Sequence, residues 1–252
     1  MGIFAYLMRF VRYYTFSVVC FLYMLNPKNY NPATKEMIIK QIYYTAIEIL
    51  PVFILSAVVF GAAINGMVVY LAIQYGLKDF IGFLIVKFII VELIPFLLAL
   101  AVSFRTGLRV GIKTAIMKVN GEINTLKMYD IDTVRYLFMP RAFGNTIGFV
   151  SLVFLFSVIM MISGYVFLFL MTGMELDMFL NTIISAVSVK DIVIFIVKSF
   201  IFGFIIVTIP SYDGLMIKKR YFEIPVTISK TISALFVAIL FLEVVSLTIE
   251  LI

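Results

Sequence analysis

Long apolar runs alternate with short polar segments along this chain. Crossing about 30 Å of hydrocarbon takes roughly 20 apolar residues in a helix. Five runs meet that length: 47–73, 81–104, 143–171, 192–209 and 231–252. Each is continuously apolar, whereas strands of a transmembrane barrel alternate apolar and polar residues. The pattern therefore predicts an all-α membrane protein with five transmembrane helices. A sixth apolar stretch, 1–25, is interrupted by Arg9 and Arg12 and rich in aromatic rings. Arginine heads and aromatic rings favour the membrane–water boundary, so it reads as an interfacial helix; a true first span is the competing reading. Asn26-Pro27 and Asn31-Pro32 mark a loop, and a second short helix follows through Lys40 and Gln41. The division is thus an N-terminal interfacial region, 1–45, and a membrane domain, 46–252.

The longest polar excursion, 105–141, separates the second and third spans. In it Leu108, Ile112, Ala115, Ile116, Val119, Ile123 and Leu126 recur at steps of three and four, the spacing of one helix face. Arg109, Lys113, Lys118, Glu122 and Lys127 occupy the opposite face. Asn120-Gly121 is a turn-favouring pair that bends or breaks the helix. Asp132 is placed to cap a helix starting at Thr133. Periodicity alone does not separate a helix lying on the membrane from one that docks a soluble partner. The segment 173–191 is a loop with room for a short helix, and the fourth span is predicted to end at Pro210.

Charge orients these elements. Residues 1–45 hold five basic side chains against one acidic, 105–141 seven against three, and 215–230 four against one. The alternate segments are neutral at 74–80 and acidic at 173–191. In a five-span chain the three basic segments fall on one side, which the positive-inside bias makes cytoplasmic. The N-terminus is then cytoplasmic and the C-terminus outside. The net charge of +6 is explained by those loops and signals no nucleic acid. Composition agrees with the span count: 63% of residues are hydrophobic and 13% charged, against about 25% charged in soluble domains. With no His and the single Cys20, an internal disulfide is excluded, and most zinc, haem and iron–sulfur chemistry lacks its ligands. No metal site is expected. The N-terminus shows no signal-peptide cleavage pattern.

The excursion also resembles the signature region of MlaE-like, or YrbE-like, permeases of ABC transporters. Glu92-Leu93-Ile94-Pro95 closes a span, and Phe104-Arg105-Thr106-Gly107 follows with Arg105 and Gly107 in register. Then come Met117-Lys118-Val119, Glu122-Ile123-Asn124-Thr125-Leu126, Asp132-Thr133-Val134-Arg135-Tyr136-Leu137 and Pro140-Arg141, without gaps. The chain departs from the family at Val91, where an arginine is usual, at Lys113, a charge reversal, and at Gly121. Lys87, one turn before Val91, is placed to supply the missing cation.

The resemblance implies a homodimeric permease that moves phospholipid between the inner and outer membranes of a bacterium. It implies docking of an ABC ATPase subunit, which holds ATP and Mg, through Arg109, Lys113, Lys118, Glu122 and Lys127. It implies a hexamer of an MCE-domain periplasmic protein, with a small STAS-domain protein as a further partner. It makes Pro95, Arg105, Gly107, Pro140 and Arg141 structural signature positions, with Arg105 and Arg141 bracing the docking helix; their place at the membrane surface also suits them to anionic headgroups. The chain carries no G-x-x-x-x-G-K-[ST] phosphate loop, so ATP hydrolysis and any cofactor belong to the partner and this subunit is not an enzyme.

Charges inside a span are expensive and face protein or a watery cavity. Lys87 and Glu92 are therefore candidate substrate-binding residues, with Lys87 beside a lipid phosphate or balancing Glu92. Asn65, Tyr70 and Phe96 join them as candidate pocket residues, against readings as a packing amide, an interfacial ring and a packing ring. Lys198, Asp213 and Glu243 are further charges in or near spans, and Lys198 is expected to reach the outer surface. Two other classes stand against a lipid permease: a stand-alone small-molecule or ion transporter, for which no internal repeat is found, and a membrane-embedded lipid-modifying enzyme, for which no carboxylate cluster or His is found.

Overall fold

A computed structural model describes residues 3–77, 80–173, 175–218 and 220–251. Lys78, Asp79 and Lys219, which enter the charge reading, lie outside the described residues, as do Ile252 and the side chain of Arg9. Among the described residues the structure is helical, without strands. Its helices are α1 (Ile3–Leu25), α2 (Pro32–Ala72), α3 (Ile81–Val119), α4 (Glu122–Met128), α5 (Val134–Met171), α6 (Leu176–Ala186), α7 (Val189–Leu215) and α8 (Glu223–Glu250). Five of them, α2, α3, α5, α7 and α8, are long and apolar enough to cross a membrane.

The helices outrun the apolar runs that predict them. The short helix ending at Gln41 and the first span form one element of 41 residues, and the second span continues through the start of the polar excursion to Val119. A helix rises about 1.5 Å per residue, so α3 extends roughly 22 Å beyond Phe104. The apolar pattern marks where hydrocarbon ends, whereas the backbone ladder ends only where a residue breaks it. Gly121, at φ +83°, is that breaker for α3.

Prolines do not stop these helices. Stretches with wider, π-type turns precede three of them: Tyr43–Ile47 before Pro51, Leu84–Leu93 before Pro95, and Val134–Phe138 before Pro140. A proline cannot bond to the carbonyl four residues back and its ring crowds that carbonyl, and local rewinding relieves both. Within one such turn the N–H of Glu48 donates to the carbonyl of Tyr43 at 3.0 Å. Pro210, expected to end the fourth span, instead lies inside α7, which runs on to Leu215. The carbonyl it leaves without a helical partner is that of Ile206. Gly107 of α3 lies against that oxygen, so closely that a Cβ there would stand 2.9 Å from it. One turn on, Gly111 faces Pro210, and Gly214 packs on the Gly111 carbonyl, where a Cβ would come within 2.8 Å. Small residues spaced by four thus let α3 and α7 cross almost backbone to backbone, as in close-packed membrane helices.

The core lies between α3, α5 and α7, where Ile94, Leu98, Phe149, Leu152, Phe202 and Ile206 are buried together. A polar seam staples the same bundle: Thr45 donates to Asn145 Oδ1 at 2.8 Å, and Asn145 Nδ2 donates to the Gly203 carbonyl at 2.6 Å. Helix α1 packs Cys20 and Met24 against Phe138 and Phe204. Tyr13 donates to Asp213 at 2.7 Å, and Asp213 also accepts from Thr231 of α8. The outer faces of α2 and α8 carry many exposed apolar side chains, among them Val52, Leu55, Val237 and Phe241.

Candidate functional site

Three helices contribute charges to one buried cluster. Glu92 of α3 is 4% exposed and Lys198 of α7 is 5% exposed. They form a direct, hydrogen-bonded ion pair. Lys198 Nζ also lies 2.9 Å from Glu243 Oε2 of α8, an ion contact out of line for a hydrogen bond. Ser246, one turn beyond Glu243, donates to Glu92 Oε1 at 3.3 Å. One ammonium is therefore held between two carboxylates inside a largely apolar bundle. Removing charges from water costs several kcal/mol per ion, which mutual attraction offsets only when partners sit this close. The cluster opens on a cavity of about 200 Å³ between α7 and α8, walled by Val193, Val197, Ile201, Val245 and Ile249, with Lys198 and Ser246 as its polar lining. Apolar walls with a charged end match an amphiphile, an acyl chain joined to a polar head.

A second pair lies close by in sequence. Lys87 Nζ is 3.1 Å from Asp191 Oδ1. Asp191 is fixed by a capping box at the start of α7: its Oδ2 accepts from the Ser188 N–H at 2.9 Å, and Ser188 Oγ accepts from the Asp191 N–H. Two expectations are corrected here. Lys87 does not balance Glu92, since each finds its partner on α7. Lys198 does not reach outward, because two carboxylates hold it inside the bundle.

The other candidate substrate residues do not join this cluster. Asn65 is buried against Gly164 and donates to the Met160 carbonyl at 3.1 Å, so it serves the packing of α2 on α5. Tyr70 is 66% exposed on the outside of α2. Phe96 packs at the edge of the core, beside the buried Pro95. Glu243, Lys198 and Asp191 were legible only as isolated charges in or beside apolar runs; pairing them requires knowing which helices touch.

The opposite end of α3 carries the signature positions. Gly107 makes the crossing with α7. Glu48 of α2 accepts from Arg109 at 2.6 and 3.0 Å and contacts Arg105 at 3.6 Å. Arg109 also stacks over Tyr44, 5.4 Å from its centroid. Pro140 is buried, and Arg141, behind it, is 7% exposed and donates to Thr114 Oγ1 at 3.4 Å, bracing α5 against α3. The face of α3 that packs on the bundle is Val110, Gly111, Thr114 and Ala115. It is rotated from the expected stripe, which leaves Ile116 exposed. Glycines at the α7 crossing set that rotation, and periodicity counts glycine as neutral. Beyond the break, Asn120 accepts from Tyr221 of the loop before α8, and Glu122 and Lys127 are exposed while Lys118 is half-buried. Asp132 caps the start of α5, accepting from the Val134 N–H at 2.8 Å and from Tyr23 at 2.6 Å.

No group of His, Cys, Asp and Glu able to hold a metal ion is found among the described residues. Comparison with known proteins gives a match to the family model described as permease MlaE, over residues 38–249. Probable ABC transporter permease proteins of Rickettsia typhi and Rickettsia conorii are each 26% identical over 184 residues, covering 73% of this chain and 71% of theirs. One from Rickettsia prowazekii is 25% identical over the same span.

Proposed function

The chain belongs to the MlaE family of ABC transporter permeases, and from that premise we propose that it is the membrane subunit that carries phospholipid between the inner and outer membranes of a bacterium. The observation that carries this reading is the buried Glu92–Lys198–Glu243 cluster opening on an apolar cavity. A phospholipid presents a charged head and apolar chains, and this place offers partners for both. Lys198 with its two carboxylates forms the polar end of the cavity, placed to meet the lipid head. Lys87 and Asp191 flank the route.

Energy comes from a separate ATPase subunit, since the chain has no phosphate loop. The docking surface is the end of α3 with α4: Lys118, Glu122 and Lys127 beside the Asn120-Gly121 break. Arg109 and Lys113, which share the charged face in sequence, lie further back along α3: Arg109 is taken up by Glu48, and both also line a recess facing α2. Motion at the docking end is carried as rigid-body movement of α3, and the glycine crossing passes it to α7, on which Lys198 sits. A second copy of the chain covers the apolar outer face of α8. An MCE-domain protein continues the lipid path on the outer side, with a STAS-domain protein on the ATPases. The basic segments set the N-terminus in the cytoplasm and the C-terminus in the periplasm, and α1 lies along the cytoplasmic surface.

Co-purification tests this. The tagged chain is expected to bring down a P-loop ATPase and an MCE-domain protein. Reversing Lys118 and Lys127 to Glu is expected to lower ATPase recovery about tenfold or more, as loss of two interfacial charges does. Recovery of the chain without any ATPase refutes the reading, and unchanged recovery in the reversed variant refutes this docking face.

A further inference from the structure

A second charged cavity lies far from the Lys198 cluster. Measured along α3, Glu92 and Arg109 are separated by roughly 25 Å at 1.5 Å per residue. Here the start of α2, the extension of α3 and the start of α5 enclose a recess of about 490 Å³. Its charged lining is Lys40, Arg109, Lys113 and Arg141, with no carboxylate among its lining residues. Two of the four are neutralised: Lys40 by Glu36 at 2.6 Å, and Arg109 by Glu48. Among the described residues, Arg141 and Lys113 have no carboxylate within salt-bridge distance. Arg141 is more than nine-tenths buried, and its guanidinium contacts only the neutral Thr114 hydroxyl and, at 3.6 Å, the Met117 sulfur.

A buried guanidinium without a counter-charge costs several kcal/mol. Its retention beside a second free cation and an open recess points to an anion that completes the site. Arginine's planar fork with a nearby lysine suits a phosphate. The surroundings identify what bears the phosphate. Arg109, Lys113 and Arg141, with Arg105, also border an adjoining groove of about 790 Å³ walled by Phe104, Leu108, Ile112 and Ile116. That apolar strip starts at the end of the hydrocarbon-spanning part of α3 and runs alongside the cations. A basic row beside an apolar strip at the membrane surface is complementary to an anionic lipid, as basic pockets between spans are. The only acidic side chain lining the groove is Glu122, at its far end.

We propose that Arg141 and Lys113 form a binding site for the phosphate of an anionic phospholipid, with the Phe104–Ile116 strip holding its acyl chain. In the orientation given above, the lipid belongs to the cytoplasmic leaflet. The site is separate from the transport cluster, and its occupancy ties the docking end of α3 to the membrane surface.

Native mass spectrometry of the purified chain in mild detergent tests this with phosphatidylglycerol and phosphatidylcholine as probes. The wild type is expected to retain the anionic lipid about tenfold better than the neutral one, the scale of a charge-assisted contact. Arg141→Gln and Lys113→Gln are each expected to remove most of that preference. Lys113 is exposed, so its variant folds even if the Arg141 variant does not. Lys35→Gln, on the exposed side of α2, is expected to behave as wild type. Equal retention of both lipids, or unchanged preference in Lys113→Gln, overturns the proposal. Displacement of the lipid by millimolar inorganic phosphate assigns a free-phosphate site and overturns it too. Unchanged lipid preference with lost ATPase recovery in Lys113→Gln gives these cations to a protein partner instead. The lipid measurement needs no ATPase, so failure of the permease reading and failure of this site are told apart.

Discussion

Lys198 is the residue on which the interior depends most. Removing it leaves Glu92 and Glu243 buried without a cation, and breaking a buried pair from one side costs about 3–5 kcal/mol. Lys198→Met is therefore expected to lower the unfolding midpoint in detergent sharply. The triple variant Glu92→Gln, Lys198→Met, Glu243→Gln is expected to recover most of the loss, because no charge then remains unpaired. A triple variant no more stable than Lys198→Met contradicts the pairing. Asp132 makes a smaller, pH-dependent contribution. Burial raises its carboxyl, but hydrogen bonds from Tyr23 and from the Val134 and Arg135 N–H groups outweigh that and hold it below the usual carboxylate range. A carboxyl depressed on folding stabilises fully above its unfolded value, near 3.9, and loses that contribution as pH falls through the folded value. Asp132→Ala is expected to cost about 1 kcal/mol at neutral pH, as loss of a cap does. The difference from wild type should narrow below about pH 4; a constant difference down to acid pH argues against it.

At the scale of elements, hydropathy located all five spans, because hydrocarbon demands continuous apolar sequence. It did not show how far α2, α3 and α7 continue, since polar and proline residues interrupt hydropathy without interrupting the backbone ladder. Pro210 is the clearest instance: its effect depends on Gly107 lying beside the Ile206 carbonyl, a contact no local pattern encodes. The cluster was half legible for the same reason. Glu92 and Lys87 stood out as charges within an apolar run, but their partners lie about 100 residues away on another helix. The α3–α7 crossing and the α3–α4 break give a paired test with one substitution. Gly121→Ala adds a methyl with nothing within 4 Å, so only the left-handed backbone is strained, at about 1 kcal/mol. Gly214→Ala places the same methyl 2.8 Å from the Gly111 carbonyl oxygen. That is backbone on backbone, and overpacking of this kind costs about 1–3 kcal/mol or more. Thermal unfolding is expected to rank Gly214→Ala well below Gly121→Ala; the reverse order contradicts the crossing.

At the scale of the whole molecule, α8 has the least protein around it. Val237, Phe241 and Val244 form one exposed stripe. The pairing proposed for α8 predicts that Val237→Cys forms an intermolecular disulfide in membranes under mild oxidation. The native thiol will not compete: Cys20 is fully buried, and burial, with Asp132 nearby, pushes its pKa up to about 12. A chain that stays monomeric on gels places the dimer contact elsewhere. Transport itself is the more direct question. Proteoliposomes containing this chain, its ATPase and its MCE-domain partner should move a fluorescent phospholipid in an ATP-dependent manner, and the stable triple variant at 92, 198 and 243 should assemble equally well yet transfer at least about tenfold more slowly, the loss expected when one charge-assisted headgroup contact is removed. Equal transfer by the triple variant, or transfer that ignores ATP, would contradict the central claim that the buried cluster handles the lipid of an ABC permease.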